Sequence, residues 1–460
     1  MKIREILPNQ YTESETGAEN GNRTLVTLLI VIPCLLTLAY GANDSASLLP
    51  VAFLTIVFSS IWAVRSLRNK EFELCVSSLF YPITGLIVLC VIQLLPLRPV
   101  DPAYGMLSMQ PTAALSFDPY ATKVFLYRLF ALTVFFAGAY TFIASRRRLE
   151  LFSVALTIFG GVIAFGAIIQ RLASPDAIYG VSVTPNAIPF GSYVNQHHFA
   201  ALMVMLSGPA IASFVSRKRL EVRLLFLIAA ALMAVAVLLT GSRGGVLGYL
   251  TMLAVIGLFS FGAGSKRLNK ESSLISVIVS IFLAAIIIGL AVFLGGDASV
   301  LRGLGINSGE GDFTSGRLYF WSTAIRIFLA YPLLGVGMDA FGVAFTAFDS
   351  RNGFYRVEQA HNDYLQMMTD GGIAGIILIF AFLFLFFRES WRRINETTKI
   401  SQNLHNLRIG AFAGCSGILL HSFFDFPLRT WSNAYFFLLL VTLATRQIYT
   451  ASSNTSGKSA

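Results

Sequence analysis

The polar stretch 309–375 decides how this chain is interpreted, because the segments on both sides of it are strongly apolar. It contains TSGRLYFW at 314–321, YPLLGVG at 331–337, HNDYLQ at 361–366 and GGIAG at 371–375. Arginine, histidine, asparagine and tyrosine side chains supply positive charge, hydrogen bonds and a titratable group, whereas the neighbouring apolar segments supply few of these. We therefore expect this stretch to carry the functional site and the apolar segments to form its scaffold.

The composition predicts a protein that crosses a membrane many times. Hydrophobic residues make up 55% of the chain and charged residues 13%, and the mean hydropathy is +0.69. A helix needs about 20 apolar residues to cross the hydrocarbon core, where unpaired backbone groups are not tolerated. Twelve segments meet this requirement: 24–42, 48–64, 73–95, 122–143, 150–170, 198–215, 222–240, 244–262, 273–294, 371–388, 408–425 and 431–447. The expected fold class is an all-α integral membrane protein with about 12 transmembrane helices and a large outer loop with short amphipathic helices.

The distribution of basic residues predicts the orientation of the chain. With the N-terminus placed inside, the inner connectors and tails hold 23 Lys and Arg residues, whereas the outer loops hold 11. This asymmetry obeys the positive-inside rule, so the net charge of +10 reflects topology and does not indicate a nucleic-acid partner. The predicted parts are an inner polar tail, nine helices, an outer loop, three helices and a second inner tail: residues 1–23, 24–294, 295–370, 371–448 and 449–460.

Arg243 stands in the motif TGSRGG at 240–245, between two of the predicted transmembrane helices. It lies on the side where the positive-inside rule disfavours basic residues, and its small neighbours let a bulky partner approach the backbone. Gly244 and Gly245 also begin a predicted helix, whose N-terminal amides attract anions. Anchoring to lipid headgroups is the alternative, but these features favour an anion-binding role for Arg243.

The residues from Arg317 to Ala330 predict an amphipathic helix at the membrane interface. Pro332 stops a run of apolar side chains at helical spacing: Leu318, Trp321, Ile325, Phe328 and Leu329. Arg317 falls in the first turn, where the helix dipole disfavours a cation. A site that recruits an anion explains this position better than lipid anchoring does.

His361, Asn362 and Tyr364 precede the tenth predicted transmembrane helix. Histidine is the side chain whose unperturbed pKa, about 6.5, suits proton transfer near neutral pH. One or two helical turns over 361–369 would place His361 and Tyr364 on one face, and the glycine pair that follows permits a bend. A structural histidine at the interface is the alternative to a catalytic one.

Further polar residues fall at predicted helix ends on the same side of the membrane. Asn195, His197 and His198 end an outer loop, but zinc needs three or four convergent ligands and no Cys or acidic residue is close in sequence. We therefore expect a polar border of a substrate cleft there, and no metal site. His421 and Asp425 are four residues apart on one helical face, which indicates either a structural pair or support for the catalytic residues.

Taken in order, these motifs resemble the O-antigen ligase and O-antigen polymerase superfamily of bacterial membrane glycosyltransferases. GSRGGVL at 241–247 is similar to the Arg-x3-Leu element of that family, and the stretch 317–337 resembles the start of its large periplasmic loop. HN at 361–362, followed after nine residues by GIAG at 372–375, resembles its His-Asn-x9-Gly-x-x-Gly signature. Ligases often continue with two threonines, where this chain has isoleucines at 376–377.

The resemblance implies an enzyme that passes a glycan from undecaprenyl diphosphate to an acceptor hydroxyl, with inversion and without a metal or other cofactor. Arg243 and Arg317 would hold the diphosphate and stabilise the charge that grows as it leaves. His361 would orient or deprotonate the acceptor hydroxyl. The residues expected to bind substrate border the same site: Asn362, Tyr364, Asn195, His198 and Trp321.

The expected partners are an undecaprenyl-diphosphate-linked glycan donor, a lipid-linked or lipid A core glycan acceptor, and membrane lipids. The expected location is the bacterial inner membrane, with both termini cytoplasmic and the loop 295–370 in the periplasm. The missing threonine pair favours a polymerase over a ligase. A secondary transporter is the alternative from another class, but the chain shows no internal repeat, and its ionisable residues gather at the outer face and not at the bilayer midplane.

Overall fold

The computed structural model describes residues 2–5, 22–42, 48–98, 113–184, 187–216, 219–262, 317–351, 353, 357–398 and 400–448. Within these ranges the chain is mostly helical. In chain order the thirteen α-helices are α1 (Arg23–Leu38), α2 (Leu48–Asn69), α3 (Phe80–Gln93), α4 (Pro119–Phe142), α5 (Arg146–Ala173), α6 (Gln196–Ser216), α7 (Leu220–Leu239), α8 (Arg243–Gly262), α9 (Arg317–Ala330), α10 (Phe341–Phe348), α11 (Asp363–Thr397), α12 (Gln402–His421) and α13 (Trp431–Thr445).

Six of these helices are long and apolar enough to cross a membrane: Leu49–Asn69, Pro119–Phe142, Arg146–Ala173, Gln196–Ser216, Leu220–Leu239 and Asp363–Thr397. Four shorter segments are also apolar: Arg23–Leu38, Phe80–Gln93, Arg243–Phe259 and Trp431–Thr445. The chain therefore has the helices of a multi-pass membrane protein, but the predicted number of twelve transmembrane helices is not confirmed. The predicted helix 273–294 and the first part of the predicted loop 295–370 lie outside the described residues.

Two short sheets accompany the helices. Strand β1 (Lys2–Glu5) pairs in parallel with β2 (Glu71–Leu74), and β3 (Ala177–Ile178) pairs antiparallel with β4 (Ser182–Val183). The predicted start of a helix at 73 is therefore wrong, because the alternation of acidic and apolar residues in EFEL is a strand pattern.

The helices α6, α8 and α12 pack with their backbones in near contact. A Cβ atom added to Gly208 of α6 would lie 2.2 Å from the carbonyl oxygen of Gly410 in α12. A Cβ atom added to Gly248 of α8 would lie 2.6 Å from the carbonyl oxygen of Gly417 in α12. Small residues permit such close approach between helices, which then gain dispersion contacts along their length. This packing holds the end of α12 against the start of α8.

The helices α9 and α10 form a second, smaller core. Its buried side chains include Phe320, Ala324 and Ile327 of α9, and Phe341, Ala344 and Phe345 of α10. The predicted bounds of the amphipathic helix are confirmed, since α9 runs from Arg317 to Ala330. Leu318, Ile325 and Leu329 of the predicted apolar stripe are exposed. An exposed apolar stripe is what a helix lying at a membrane interface would present to lipid.

The helix α11 is interrupted at Gly372, whose φ of 60° and ψ of −156° are open to glycine and strained for other residues. At this break the backbone groups of the loop 332–337 replace the missing helical hydrogen bonds, at N···O distances from 2.8 to 3.2 Å. The predicted bend is therefore confirmed. It also has a consequence that the sequence did not indicate, because it docks the loop after α9 onto the helix that begins just after the HN motif.

Candidate active site

Asp425 lies at the centre of the candidate site, in the turn between α12 and α13, and is only 1% exposed. Its Oδ1 atom accepts a hydrogen bond from the backbone amide of Phe426 at 2.9 Å and lies 3.3 Å from Nδ1 of His361. The same oxygen lies 3.9 Å from Nε2 of His198, and Oδ2 lies 3.9 Å from a guanidinium nitrogen of Arg317. A carboxylate can be buried here because cationic and polar nitrogens surround it. The structure thus brings two of the predicted catalytic residues, Arg317 and His361, together on one acid.

His361 is held between two aromatic rings. Its ring is nearly parallel to that of Phe320, with centroids 6.1 Å apart, and meets Phe426 edge to face at 4.9 Å. Its backbone φ of 51° is uncommon for a residue other than glycine and occurs where the surrounding structure imposes it. With Nδ1 turned to Asp425 and 33% of the side chain exposed, Nε2 is the nitrogen left for a substrate. A carboxylate on one ring nitrogen orients a histidine for chemistry at the other.

Arg317 is held more loosely than His361. Its nearest approach to the carboxylate is 3.9 Å, which is longer than a hydrogen bond, and 27% of its side chain is exposed. On the other side of this gap, Oδ2 of Asp425 is buried and has no hydrogen-bond partner among the residues described. At this distance the guanidinium is attracted to the carboxylate of Asp425 but does not donate a hydrogen bond to it.

The surroundings of Asp425 keep it ionised. Burial alone would raise the pKa of this carboxyl, but the hydrogen bond with His361 and the electrostatic interactions with His197, His198 and His361 together outweigh burial. The pKa of Asp425 therefore lies well below its ordinary value. At neutral pH the group acts as a fixed negative charge and hydrogen-bond acceptor, and it does not act as a proton donor.

Arg243 begins α8 beside a close contact with His421. A Cβ atom on Gly244 would lie 2.6 Å from Cδ2 of His421, so a glycine is needed where α8 meets this ring. His421 in turn interacts electrostatically with Asp425 and Arg317. These contacts place the start of α8, where Arg243 stands, beside the same cluster. The predicted pair at 421 and 425 is therefore inside the site, where Asp425 contacts the catalytic candidates directly.

Asn362 and Tyr364, which we expected to bind substrate, have structural contacts. The side-chain oxygen of Asn362 accepts hydrogen bonds from the backbone amides of Tyr364 and Leu365 at 3.0 and 3.1 Å, and so caps the start of α11. The hydroxyl of Tyr364 donates to the carbonyl of Leu419 at 2.7 Å. Their role in substrate binding stays a prediction, but the cap explains why an asparagine follows the histidine.

Trp321 and Asn195 also form hydrogen bonds within the protein. The indole N–H of Trp321 donates to the carbonyl of Ala360 at 3.0 Å, which ties α9 to the residue before His361. The side-chain oxygen of Asn195 accepts from the backbone amide of His197 at 2.8 Å, at the start of α6. Both contacts set the positions of neighbouring histidines, and substrate binding by these two residues also stays a prediction.

A second charged cluster consists of Arg429, Asp370 and Asp339, and we call it the clamp. It connects the two segments that carry Asp425 and His361, and the sequence analysis did not identify it. Arg429 donates to Oδ2 of Asp370 at 2.7 Å and also pairs with Asp339. Asp370 accepts from Gln366 at 3.2 Å, and Gln366 accepts from the backbone amide of Ala360 at 2.6 Å. This chain of contacts runs from the turn that carries Asp425 to the residue before His361. The available signal was Asp370, because an acidic residue at the edge of an apolar helix usually has a specific partner.

An apolar groove lies beside the site, between α3, α4, α11 and α13, and has a volume of about 210 Å³. Most of its lining is aliphatic or aromatic, and its polar lining residues include Arg128, Asp363, Tyr364, Ser422 and Arg429. Arg128 is itself engaged, since it donates to the carbonyl of Leu428 at 2.8 Å and lies over the ring of Trp431. The groove is thus continuous with the residues that follow His361 and Asp425 in sequence.

The arrangement of the potential ligand side chains bears on whether the site could bind a metal. Over the ranges that the structure describes, no group of three or more His, Cys, Asp or Glu residues is arranged to hold a metal ion. The cluster around Asp425 instead contains a guanidinium, which repels a metal cation. The expected metal independence stays a prediction for a chelation experiment.

Comparison with known families bears on the same residues. Residues 228–380 match a family model described as O-antigen ligase. The resemblance to the O-antigen ligase and O-antigen polymerase superfamily is confirmed. The match supports a membrane enzyme of the glycosyltransferase type, and the matching family implies lipid-linked glycan substrates. A search of curated proteins gives no match to the chain.

The matched region of the superfamily contains Arg243, Arg317 and His361 but neither His198 nor Asp425. These last two residues join the site through the fold, because the start of α6 and the residues just before α11 both contact the turn after α12. The family match and the geometry therefore supply different parts of the same cluster.

Proposed function

We propose that this protein transfers a glycan from polyprenyl diphosphate to an acceptor hydroxyl in the assembly of a surface polysaccharide. The observation that carries the proposal is one buried carboxylate, Asp425, between His361 and Arg317, with the start of α8, where Arg243 stands, beside the cluster. The reaction needs a base for the hydroxyl and fixed cations for the leaving diphosphate. The match to the O-antigen ligase family supports the same reaction class.

In this proposal His361 acts on the acceptor. Its Nε2 takes the proton of the acceptor hydroxyl while the hydroxyl oxygen forms a bond to the anomeric carbon of the donor. The imidazolium that results is stabilised through Nδ1 by Asp425, which is 3.3 Å away and already ionised. Phe320 and Phe426 keep the ring in place while its charge changes.

Arg317 and Arg243 act on the donor. The bond between the anomeric carbon and the diphosphate oxygen breaks on the face opposite to the attacking oxygen, so the configuration inverts and the electron pair leaves with the diphosphate. Arg317 can turn toward this group because it gives up no short hydrogen bond when it does so. Planar guanidinium groups bind phosphate oxygens in pairs, so two of them supply the positive charge that the leaving group requires.

The identity of the acceptor separates a polymerase from a ligase. Isoleucines at 376–377, where ligases often carry threonines, support a polymerase that adds the glycan to another lipid-linked repeat unit. The description of the matching family supports a ligase, which adds it to a lipid A core sugar. Both reactions use the same donor and the same catalytic groups, with the site facing the periplasm.

The test uses the full chain, purified and reconstituted with a polyprenyl-diphosphate-linked repeat unit as donor. A longer lipid-linked glycan indicates a polymerase, and glycan on lipid A core indicates a ligase. Arg317→Ala should abolish donor consumption, whereas Arg326→Ala, which removes an exposed arginine from the same helix, should not. Failure of the wild-type protein to consume donor with either acceptor, or solute uptake without glycan transfer, would contradict the proposal.

A further inference from the structure

His198 is a second histidine beside Asp425, and it is buried to 1% exposure. Its Nδ1 lies 2.8 Å from the hydroxyl of Thr430, and its ring meets Phe426 edge to face with centroids 4.7 Å apart. Its Nε2 is 3.9 Å from Oδ1 of Asp425 and has no hydrogen-bond partner among the residues described. A buried ring that is held by Thr430 and Phe426, with its other nitrogen 3.9 Å from a carboxylate, requires an explanation.

The contact with Thr430 sets which nitrogen of His198 carries the proton. A lone pair on Nε2 would face the carboxylate and be repelled by it, so the proton belongs on Nε2. Nδ1 is then an acceptor, and the hydroxyl of Thr430 is its donor at 2.8 Å. The geometry of Thr430, His198 and Asp425 is consistent with one assignment of protons, in which each hydrogen points toward the acid.

The oxygen that His198 faces is the one that His361 uses. Oδ1 of Asp425 is 3.3 Å from His361 and 3.9 Å from His198, whereas Oδ2 faces Arg317. A carboxylate in a turn can rotate about its terminal bond, which would exchange the two oxygens or tilt both away from His361. An N–H fixed near Oδ1 favours the rotation that His361 needs.

We propose that His198, with its proton placed by Thr430, is a positioning residue that holds Asp425 in the orientation required by His361. This inference rests on the proposed glycan transfer. His198 touches neither the donor nor the acceptor in this arrangement, which replaces the substrate-binding role expected from sequence. Its effect reaches the reaction through Asp425 alone.

Packing between helices does not account for the ring. The backbone of His198 is already joined to α13, since Asn433 donates to its carbonyl at 3.0 Å and also to the carbonyl of Pro427 at 3.1 Å. An apolar ring of similar size would serve the same packing. Such an apolar ring would lack an N–H group. In His198 this group is on Nε2, and the hydrogen bond between Thr430 and Nδ1 sets its direction.

The experiment compares variants at both ends of this contact in the reconstituted full chain. His198→Phe removes the N–H that faces Asp425, Thr430→Val removes the hydroxyl that orients the ring through Nδ1, and Thr430→Ser keeps that hydroxyl. Ser432→Ala is the matched control, because it also removes a buried hydroxyl at the start of α13, one that contacts Tyr193 and not His198. We expect kcat to fall by about 10- to 100-fold in Thr430→Val and His198→Phe, as for other groups that orient a catalytic ligand.

The KM for the lipid-linked donor should stay unchanged in both variants, and Thr430→Ser and Ser432→Ala should keep the wild-type kcat. The double variant Thr430→Val/His198→Phe should be no slower than His198→Phe, since the hydroxyl of Thr430 acts on Asp425 only through the ring of His198. Wild-type kcat in His198→Phe or Thr430→Val, or an equal loss in Ser432→Ala, would overturn the positioning role.

A second measurement keeps the inference separate from the proposed reaction. The chain has five histidines, so 15N-histidine spectra of the intact protein can be assigned by single substitutions. We expect His198 to be protonated on Nε2 and free of a proton on Nδ1, and Thr430→Val to shift the Nδ1 resonance, because that nitrogen loses its hydrogen-bond donor. Protonation on Nδ1 would overturn the inference even if glycan transfer is active, whereas an inactive wild-type enzyme with the expected spectrum would overturn the proposed function alone.

Discussion

Asp425 and Arg429 are four residues apart, yet each forms an ion pair of a different kind. Asp425 is 3.9 Å from Arg317, whose side chain is 27% exposed. Arg429 is 2.7 Å from Asp370 and also pairs with Asp339, and its side chain is 11% exposed. The first pair leaves the directional donors of the arginine available, whereas the second uses them within the protein.

This difference distinguishes Arg317, whose donors can bind a substrate, from Arg429, whose donors stabilise the fold. A buried ion pair repays its desolvation when the geometry is short and the remaining donors are satisfied, as they are in the clamp. A pair at 3.9 Å offsets less of its desolvation cost, so an incoming phosphate can compete with Asp425 for the guanidinium of Arg317. The clamp in turn fixes the turn that carries Asp425 against α11, where His361 begins.

The largest expected effect is on folding, from Arg429→Leu. This change leaves the fully buried Asp370 and the partly exposed Asp339 without their cation, and removing one partner of a buried pair costs about 3–5 kcal/mol. The free energy of unfolding in detergent should fall by that amount. Adding Asp370→Leu to the same chain should recover part of the loss, because it removes one of the stranded charges. Unchanged stability in Arg429→Leu would show that the clamp does not hold the site.

Local pattern predicted the elements of this fold well. The spacing of apolar residues together with Pro332 gave the bounds of α9, and the glycine pair gave the bend in α11. These features depend on residues only a few positions apart, so they can be recognised without knowledge of the tertiary structure. The strand at 71–74 was missed because its partner is the distant segment 2–5.

The site was predicted in part, for a related reason. Arg317 and His361 were identified by residue type and motif, but their meeting on Asp425 depends on contacts across 64 residues or more, as between His361 and Asp425. Asn362 was expected to bind substrate, although an asparagine directly before a helix is a common N-cap and could have been read as one. Sequence reasoning selected Arg317 and assigned no role to Arg429, because the ion pairs of Arg429 with Asp370 and Asp339 appear only once the chain is folded.

The next effect is on activity, from Arg317→Lys. Lysine keeps the charge but loses the planar pair of donors, so a diphosphate held at two oxygens should be poorly stabilised as it leaves. We expect kcat/KM for the donor to fall by about 100- to 1000-fold, which is the loss of one fixed donor at a developing charge. Stability should change little, in contrast to Arg429→Leu. A lysine variant with wild-type activity would mean that Arg317 is an anchor, and Arg326→Lys provides the background for a lysine in the same helix.

A smaller effect is expected from Trp321→Phe. This change keeps an aromatic ring but removes the hydrogen bond to the carbonyl of Ala360, which is worth about 0.5–1.5 kcal/mol. The free energy of unfolding should fall by that amount, while the KM for donor and acceptor stays the same. A higher KM with unchanged stability would instead support the substrate-binding role that the sequence suggested for Trp321. Trp321 would then belong with Arg317 among the residues that contact substrate.

The smallest effect should come from chelation, and it tests whether Arg317 and Arg243 supply the positive charge of the site. Excess EDTA should leave the rate of glycan transfer by the purified protein unchanged, because Arg317 and Arg243 would stabilise the leaving diphosphate without a divalent ion. A full loss of activity that magnesium or manganese restores would contradict this, since the charge would then come from a metal. In that case the 3.9 Å gap between Arg317 and Asp425 would lose its explanation as a phosphate site. Persistence of activity in EDTA, together with its loss in Arg317→Lys, would assign the leaving-group charge to the guanidinium.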